Sequence, residues 1–319
     1  MSRYEPQTLP FFPMPYPGEA LYSVLCRYHV RSGNATARQS IQQLFGSFSS
    51  LSSTILLPSM LNCFNDWTAA VPGIDTRKLI WGHTAFSLYA LFDYSDYVNT
   101  FSSEKFVAST SRGLRPGSFR QCKLQHPLQT LRYCPVCAAE QRKIYGESYW
   151  QVLPQLDGVE YCPFHLIPIQ SSGIRIRDLR YAFHPADSIL HISKPRQDSG
   201  GLLSLNELQA IVTPDVFISM ARCVLFLWEH LPAYSGIWFL IAQYRKLLTV
   251  ELENSFWQST YTLKTKLLEK NHPRLVNWLL SSGLQHTDPS YIFYSGFSLA
   301  QHALMISLIS NSPESFFAA

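Results

Sequence analysis

Two short ligand pairs constrain this chain more than anything else in it. Cys134-Pro-Val-Cys137 and Cys162-Pro-Phe-His165 each place two donors two residues apart, and 24 residues, 138–161, separate the pairs. A C-x-x-C turn aims both thiolates at one point, and two such pairs complete a tetrahedron of three sulfurs and one imidazole nitrogen. That donor set selects zinc over magnesium or calcium. Buried cysteine can simply be a small hydrophobe, and a lone C-x-x-C can be a redox motif. Neither alternative requires the doubled spacing, the Pro after each first Cys, or the Cys-x-x-His partner. The ligand set predicts one structural Zn2+, because four protein donors fill a shell that a catalytic zinc keeps partly open. No H-E-x-x-H, H-x-E or G-x-x-x-x-G-K-[ST] occurs anywhere in the chain. The metalloprotease, deaminase and P-loop signatures are therefore missing, and no carboxylate cluster suggests a two-metal nuclease. The chain reads as a non-enzyme.

A zinc knuckle needs a larger body to sit in, and the composition supplies one. Of 319 residues, 46% are hydrophobic, 14% aromatic and only 15% charged, a balance suited to large packed cores or protein interfaces. The length predicts about two domains. Seven cysteines, at 26, 63, 122, 134, 137, 162 and 223, form an odd set in a long chain, which argues against a disulfide scaffold and for a reducing cytoplasm. Prolines at 10, 13, 15 and 17 interrupt the N-terminal segment, so no signal-peptide core is expected. Apolar runs such as 237–242 fall far short of the ~20 residues of a membrane span.

The periodicity predicts a mostly α fold. The proline-rich leader over 1–18 precedes helices expected over 19–31, 36–45, 58–70 and 75–92. Thr36 is the expected N-cap of the second, Gly33 and Gly46 are expected stops, and Pro58 opens the third. This N-terminal region, 1–110, is expected to be helical and helix-turn-helix-like. Residues 111–145 carry five Gly and Pro breakers and read as loops around the metal. Asp157-Gly158 is a hairpin signal. A zinc module with a short β-hairpin is therefore expected over 111–196. A C-terminal helical bundle over 197–319 is expected from helical patterns beginning at Ser204 and over 214–230, 234–248, 252–270, 274–282 and 298–309. His83, Tyr149 and Trp150 are expected to be core or capping residues.

The net charge is only +4, but it is unevenly placed. Arg112, Arg115, Arg120, Lys123, Arg132, Arg142 and Lys143 stand against Glu140 alone over 110–146, a local net of +6. Arg175, Arg177 and Arg180 follow, offset by Asp178. Basic side chains around a braced loop suit phosphate contacts. They equally suit an acidic protein partner or a solvated face.

Four segments then carry a resemblance to the TniQ/TnsD family of transposon target-site selectors. They are Phe12-Pro-Met-Pro-Tyr-Pro-Gly-Glu-Ala-Leu-Tyr-Ser23, His83-Thr-Ala-Phe-Ser-Leu-Tyr-Ala-Leu-Phe92, Arg132-Tyr-Cys-Pro-Val-Cys137, and Tyr145-Gly-Glu-Ser-Tyr-Trp150 with Tyr161-Cys-Pro-Phe-His165. The resemblance covers residues 10–170 and implies a non-catalytic adaptor of DNA transposition. It implies recruitment of the AAA+ ATPase regulator TnsC, and through it the transposase. Targeting would come from a guide-RNA complex of the Cascade type, as in a CRISPR-associated transposon, or from direct binding to target DNA. Cys134, Cys137, Cys162 and His165 match the family's zinc ligands, self-association as a dimer is a further expectation, and the setting would be a bacterial cytoplasm, at the nucleoid when acting. Two departures matter. Only Cys223 follows the zinc motif, where many CRISPR-linked members carry a second cysteine cluster. Members that read DNA sequence are longer, with a C-terminal DNA-binding extension. The resemblance therefore favours an adaptor over a sequence-specific DNA-binding selector.

Overall fold

The computed structural model describes residues 9, 11–45, 71, 73–91, 128–190, 213–230, 242–243, 249–252, 260–263, 298–310 and 312–318. The described residues are mostly helical, with two small antiparallel strand pairs. The expected domain boundaries near 110 and 196 fall outside these residues, as do the helices expected over 58–70 and 274–282 and from Ser204.

The N-terminal part follows the expected pattern. The leader runs without helix or strand to a single bridge between Glu19 and Gln151, burying Leu9 and Phe12. Helix α1 (Leu21–Ser32) buries Leu21, Tyr22, Val24, Leu25 and Tyr28, and ends at Gly33 in the left-handed region with φ 71°. Helix α2 (Ala37–Phe45) starts from a reciprocal cap. Thr36 Oγ1 accepts from the Gln39 amide, and Gln39 Oε1 accepts from the Thr36 amide.

The helix expected over 75–92 is two helices, α3 (Thr76–His83) and α4 (Phe86–Leu91). Thr84 breaks the ladder: its hydroxyl donates back to the Ile80 carbonyl and accepts from the Phe86 amide, the local competition that disfavours Thr inside helices.

Strand β1 (Thr130–Tyr133) is followed directly by helix α5 (Pro135–Tyr145). This corrects the loop reading of 111–145. Pro135 stands at the first helical turn, where a missing N–H costs nothing, Cys134 caps, and Gly146 stops the helix at φ 80°. Strand β2 (Gln170–Arg175) pairs antiparallel with β1, Arg132 opposite Ser171. The expected hairpin at Asp157-Gly158 does not form. The turn exists, with Gly158 at φ 84°, but no strand pair flanks it, and the sheet closes instead through β1 and β2. A 3₁₀ strap over Ile176–Tyr181 and the short helix α6 (Ala186–Leu190) follow.

Helix α7 (Pro214–His230) matches expectation. The helix expected over 252–270 does not. Residues Thr249–Leu252 and Thr260–Leu263 are β3 and β4, an antiparallel pair with Thr249 opposite Leu263. The alternating Thr-Tyr-Thr and β-branched content of these stretches suits a pleat better than a helix. Helix α8 (Leu299–Ile309) opens with a capping box from Ser298 and Gln301, and α9 (Pro313–Ala318) is a helix the periodicity did not suggest.

One apolar core joins these elements. It runs from Tyr22 and Leu25 of α1 through Trp150 and Val159 to Phe217 and Val224 of α7 and Ile306 of α8.

Candidate metal centre

Each donor of the zinc motif is placed by the end of an element. Cys134 leaves β1 and caps α5, accepting the Cys137 amide at 3.5 Å, so the helix dictates where both sulfurs point. The second pair lies in a tight turn. The Cys162 amide donates to Ile167 O and the Leu166 amide to Cys162 O, both at 2.8 Å, and Tyr161 bridges Pro168. Leu166 takes φ 58° to close it, a conformation that costs a non-glycine residue energy and persists where the surroundings impose it.

The four donor atoms converge, all within 4.8 Å of one another. Cys137 Sγ lies 3.7 Å from Cys162 Sγ. His165 Nδ1 lies 3.6, 3.3 and 3.5 Å from the sulfurs of Cys134, Cys137 and Cys162. A tetrahedron with ordinary Zn–S and Zn–N bonds has S···S edges of about 3.8 Å and S···N edges of about 3.6 Å. The residues fit zinc. The three cysteines are buried, with Ile167 and Ile169 packed against them. His165 turns its other nitrogen, Nε2, to Glu140 Oε2 at 3.2 Å. That contact orients the ring and selects Nδ1 as the ligand atom, the carboxylate–imidazole arrangement that supports zinc sites.

The electrostatics also suit a cation. Hydrogen bonds from the Cys134 and Cys137 thiols pull the Cys162 thiol down to about 2. The Cys137 thiol is pushed far up by Cys134 and Cys162. Protein groups alone thus support one thiolate in this space, whereas a bound divalent cation would hold all three. Elsewhere, Cys26 and Cys223 are free, and burial pushes the Cys26 thiol up to about 12 and the Cys223 thiol higher still. Both are packing residues.

The structure separates the predicted basic contacts. Arg112, Arg115, Arg120 and Lys123 lie outside the described residues. Arg132 is corrected from a surface contact to an internal clamp. It is 4% exposed, donates to Glu160 Oε1 at 3.1 Å and Leu156 O at 2.9 Å, and exchanges backbone hydrogen bonds with the Gln155 amide side chain. Arg142 is ion-paired to Asp187, which also accepts the Ser148 amide. Lys143 is exposed.

A second cluster went unnoticed in the sequence. Arg27 donates to Glu19 Oε2 and Glu147 Oε1, each at 2.8 Å, and lies 3.7 Å over the Tyr16 ring. Glu147 also accepts from Tyr16 and Arg31. Around it, the Ala20 amide donates to Trp150 O, the Val152 amide to Gly18 O, the Trp150 amide to Ser23 Oγ, and Tyr149 Oη to Pro17 O. His83 Nδ1 meets Glu19 O at 2.7 Å, a structural contact. The proline leader and the Tyr145–Trp150 segment therefore form one interlocked joint beside the knuckle. Its only sequence trace was that both segments belonged to recognisable motifs.

Fold and site together define a mostly helical protein with a cluster of three cysteines and one histidine that could hold one metal ion. The TniQ family model matches residues 10–168, a span that holds every ligand and the whole joint. Transposon Tn7 transposition protein TnsD of Escherichia coli is 29% identical over 165 residues, an overlap covering 48% of this chain and 30% of that relative. The chain thus spans less than a third of the curated relative it matches. Residues 10–168 carry a TniQ domain.

Proposed function

We propose that this protein is a non-catalytic target-selection adaptor of DNA transposition. It links a targeting complex to the AAA+ regulator TnsC, and so to the transposase. One zinc, held by Cys134, Cys137, Cys162 and His165, braces the knuckle between a helix-turn-helix-like N-terminal region and a C-terminal helical bundle. The observation that carries the reading is the closed knuckle itself. Four protein donors stand at tetrahedral spacing and the neighbouring Glu140 is engaged with His165, which leaves no open position for a substrate or an activated water. The TniQ domain and the similarity to a transposition protein support the transposition role. Among the described residues no helix is long and apolar enough to cross a membrane, in keeping with a site of action at DNA in the bacterial cytoplasm. Cascade, target DNA and a second copy of the chain are the partners to be tested beside TnsC. Size-exclusion chromatography of the purified full chain with TnsC of the same transposon should give a co-eluting complex. Separate elution of the two intact proteins at micromolar concentration would refute the adaptor role.

A further inference from the structure

Helix α7 has two contrasting faces. Phe217, Met220, Ala221, Val224 and Leu227 are buried, and the helix packs against α8 and α9. The other face carries Asp215, Ile218, Arg222, Leu225 and Glu229, at alternating steps of three and four residues. That is the spacing of a seam that packs along a second helix, and it extends about 21 Å along the axis. All five residues line a groove of about 540 Å³. Asp215, Arg222 and Glu229 are exposed, and Ile218 and Leu225 between them are half-buried.

The remaining walls come from two separate elements. Helix α9 supplies Pro313 and Glu314, and its Phe317 stacks on Phe226 of α7 with ring centroids 5.4 Å apart. The turn that holds Cys162 and His165 supplies Leu166, which is 45% exposed at φ 58°. Tyr161 stacks on Phe217 at 6.0 Å and ties that turn to the start of α7. A non-glycine residue held in the left-handed region, with an apolar side chain turned to solvent, is the kind of strain that gathers at ligand contacts. The charge of the groove is lopsided. Three carboxylates, Asp215, Glu229 and Glu314, stand against one guanidinium, Arg222, a net of −2 with His neutral, in a chain whose net charge is +4. Among the described residues none of these four is in an ion pair.

We propose that this groove receives a basic amphipathic helix of a protein partner, laid lengthwise on α7. Helices are held in grooves through apolar anchors one turn apart, and Ile218, Leu225 and Leu166 are the surfaces those anchors cover. Lys or Arg side chains near the two ends of the incoming helix meet Asp215 and Glu229, about four turns apart, while Glu314 receives a cation from the opposite wall. The same carboxylates repel the phosphates of nucleic acids and of anionic lipids, so the charge that attracts a basic helix excludes both. The inference goes beyond the adaptor reading and does not rest on it: capture of a helix in this groove can fail while TnsC co-elutes, and the reverse.

The test is selection of displayed helices on the full-length, zinc-loaded protein. The probe is a library of helices about five turns long, with a fixed leucine seam and Lys, Glu, Gln or Ala at every flanking position. Enriched sequences should carry Lys at both ends and bind with a micromolar or tighter Kd in fluorescence anisotropy. Asp215→Lys/Glu229→Lys, at two exposed positions, should weaken the selected peptide by about tenfold or more. Selection repeated on that variant should enrich Glu where the wild type enriched Lys. Thermal unfolding and zinc content report folding. If the double variant melts early, Glu314→Lys alone should weaken the peptide and Arg222→Glu should tighten it. Failure to enrich any helix, enrichment of acidic ends, or unchanged affinity in these variants would overturn the proposal. So would a concentration-dependent dimer in sedimentation that blocks the peptide and that Asp215→Lys/Glu229→Lys dissociates, since the occupant would then be a second copy of this chain.

Discussion

Replacing Gly158 with alanine should damage the contact between the knuckle region and the C-terminal helix α8 more than any loop substitution nearby. A Cβ built at Gly158 would lie 3.0 Å from Ala300 Cα and 3.2 Å from Ala300 Cβ. The first of these is helix backbone, so it cannot swing aside. The position also sits at φ 84°, which costs an L-residue about 1–2 kcal/mol. Overpacking against a fixed neighbour adds about 1–3 kcal/mol. Together Gly158→Ala should cost about 2–5 kcal/mol, a large share of the usual ~5–15 kcal/mol of a folded domain. The two parts can be separated. Ala300→Gly removes the Cβ at 3.2 Å, leaves the Cα at 3.0 Å, and lets the first turn of α8 adjust. In the double variant the part of the packing cost that comes from the Ala300 Cβ should be relieved while the conformational part stays, so Gly158→Ala should cost less in the Ala300→Gly background than in wild type. Denaturant unfolding of the four proteins, read as a double-mutant cycle, measures both. Additive costs across the cycle, or a Gly158→Ala variant within about 0.5 kcal/mol of wild type, would refute the idea that α8 docks on this turn.

Three shorter predictions follow from other parts of the structure. Metal analysis of the purified chain should return one zinc per protein. Cys134→Ser should lose the zinc and unfold the knuckle, since a closed site contributes folding energy directly, and far-UV dichroism with and without chelator will detect it. Burial pushes the Asp157 carboxyl up to about 6 at a place where it faces Ser298 and the Ala300 amide without closing an aligned hydrogen bond. The folded state therefore binds its proton more tightly than the unfolded chain, so this group's stabilisation is full below about pH 4 and is lost as pH rises through about 6. Between those limits wild type should lose up to about 3 kcal/mol relative to Asp157→Asn. Comparing the two proteins cancels the zinc ligands' own pH dependence, and parallel stability curves would contradict the assignment. Arg27→Ala should cost about 3–5 kcal/mol, because it leaves Glu19 buried beside no cation. Chemical denaturation will measure this, and a loss under about 1 kcal/mol would mean that the joint holds without its ion pairs.

What could be read from the sequence divides according to how far apart the interacting residues lie. The zinc ligands were legible because their geometry is local: a cap at Cys134 and a turn at Cys162 each present two donors, and only the meeting of the two pairs needed the fold. The α1–Gly33–α2 segment was legible for the same reason. Helix α5 was not, because Pro135 reads as a breaker until it is seen to occupy the first turn. Asp157-Gly158 announced a turn, but nothing near it announced that its partner is Ala300. Arg132 and Arg177 look alike in sequence, yet one is clamped inside by Glu160 and Leu156 and the other projects into solvent. Charge counts cannot distinguish them, since burial is decided by partners distant in the chain. The same logic bears on function. The residues that carry the family resemblance, from Pro17 to Ser23, Tyr145 to Trp150 and the four ligands, are engaged with one another in the joint and the knuckle. Their side chains are committed to holding the fold. Side chains that the fold leaves exposed, such as Gln42 and Arg177, are the ones left available to a partner.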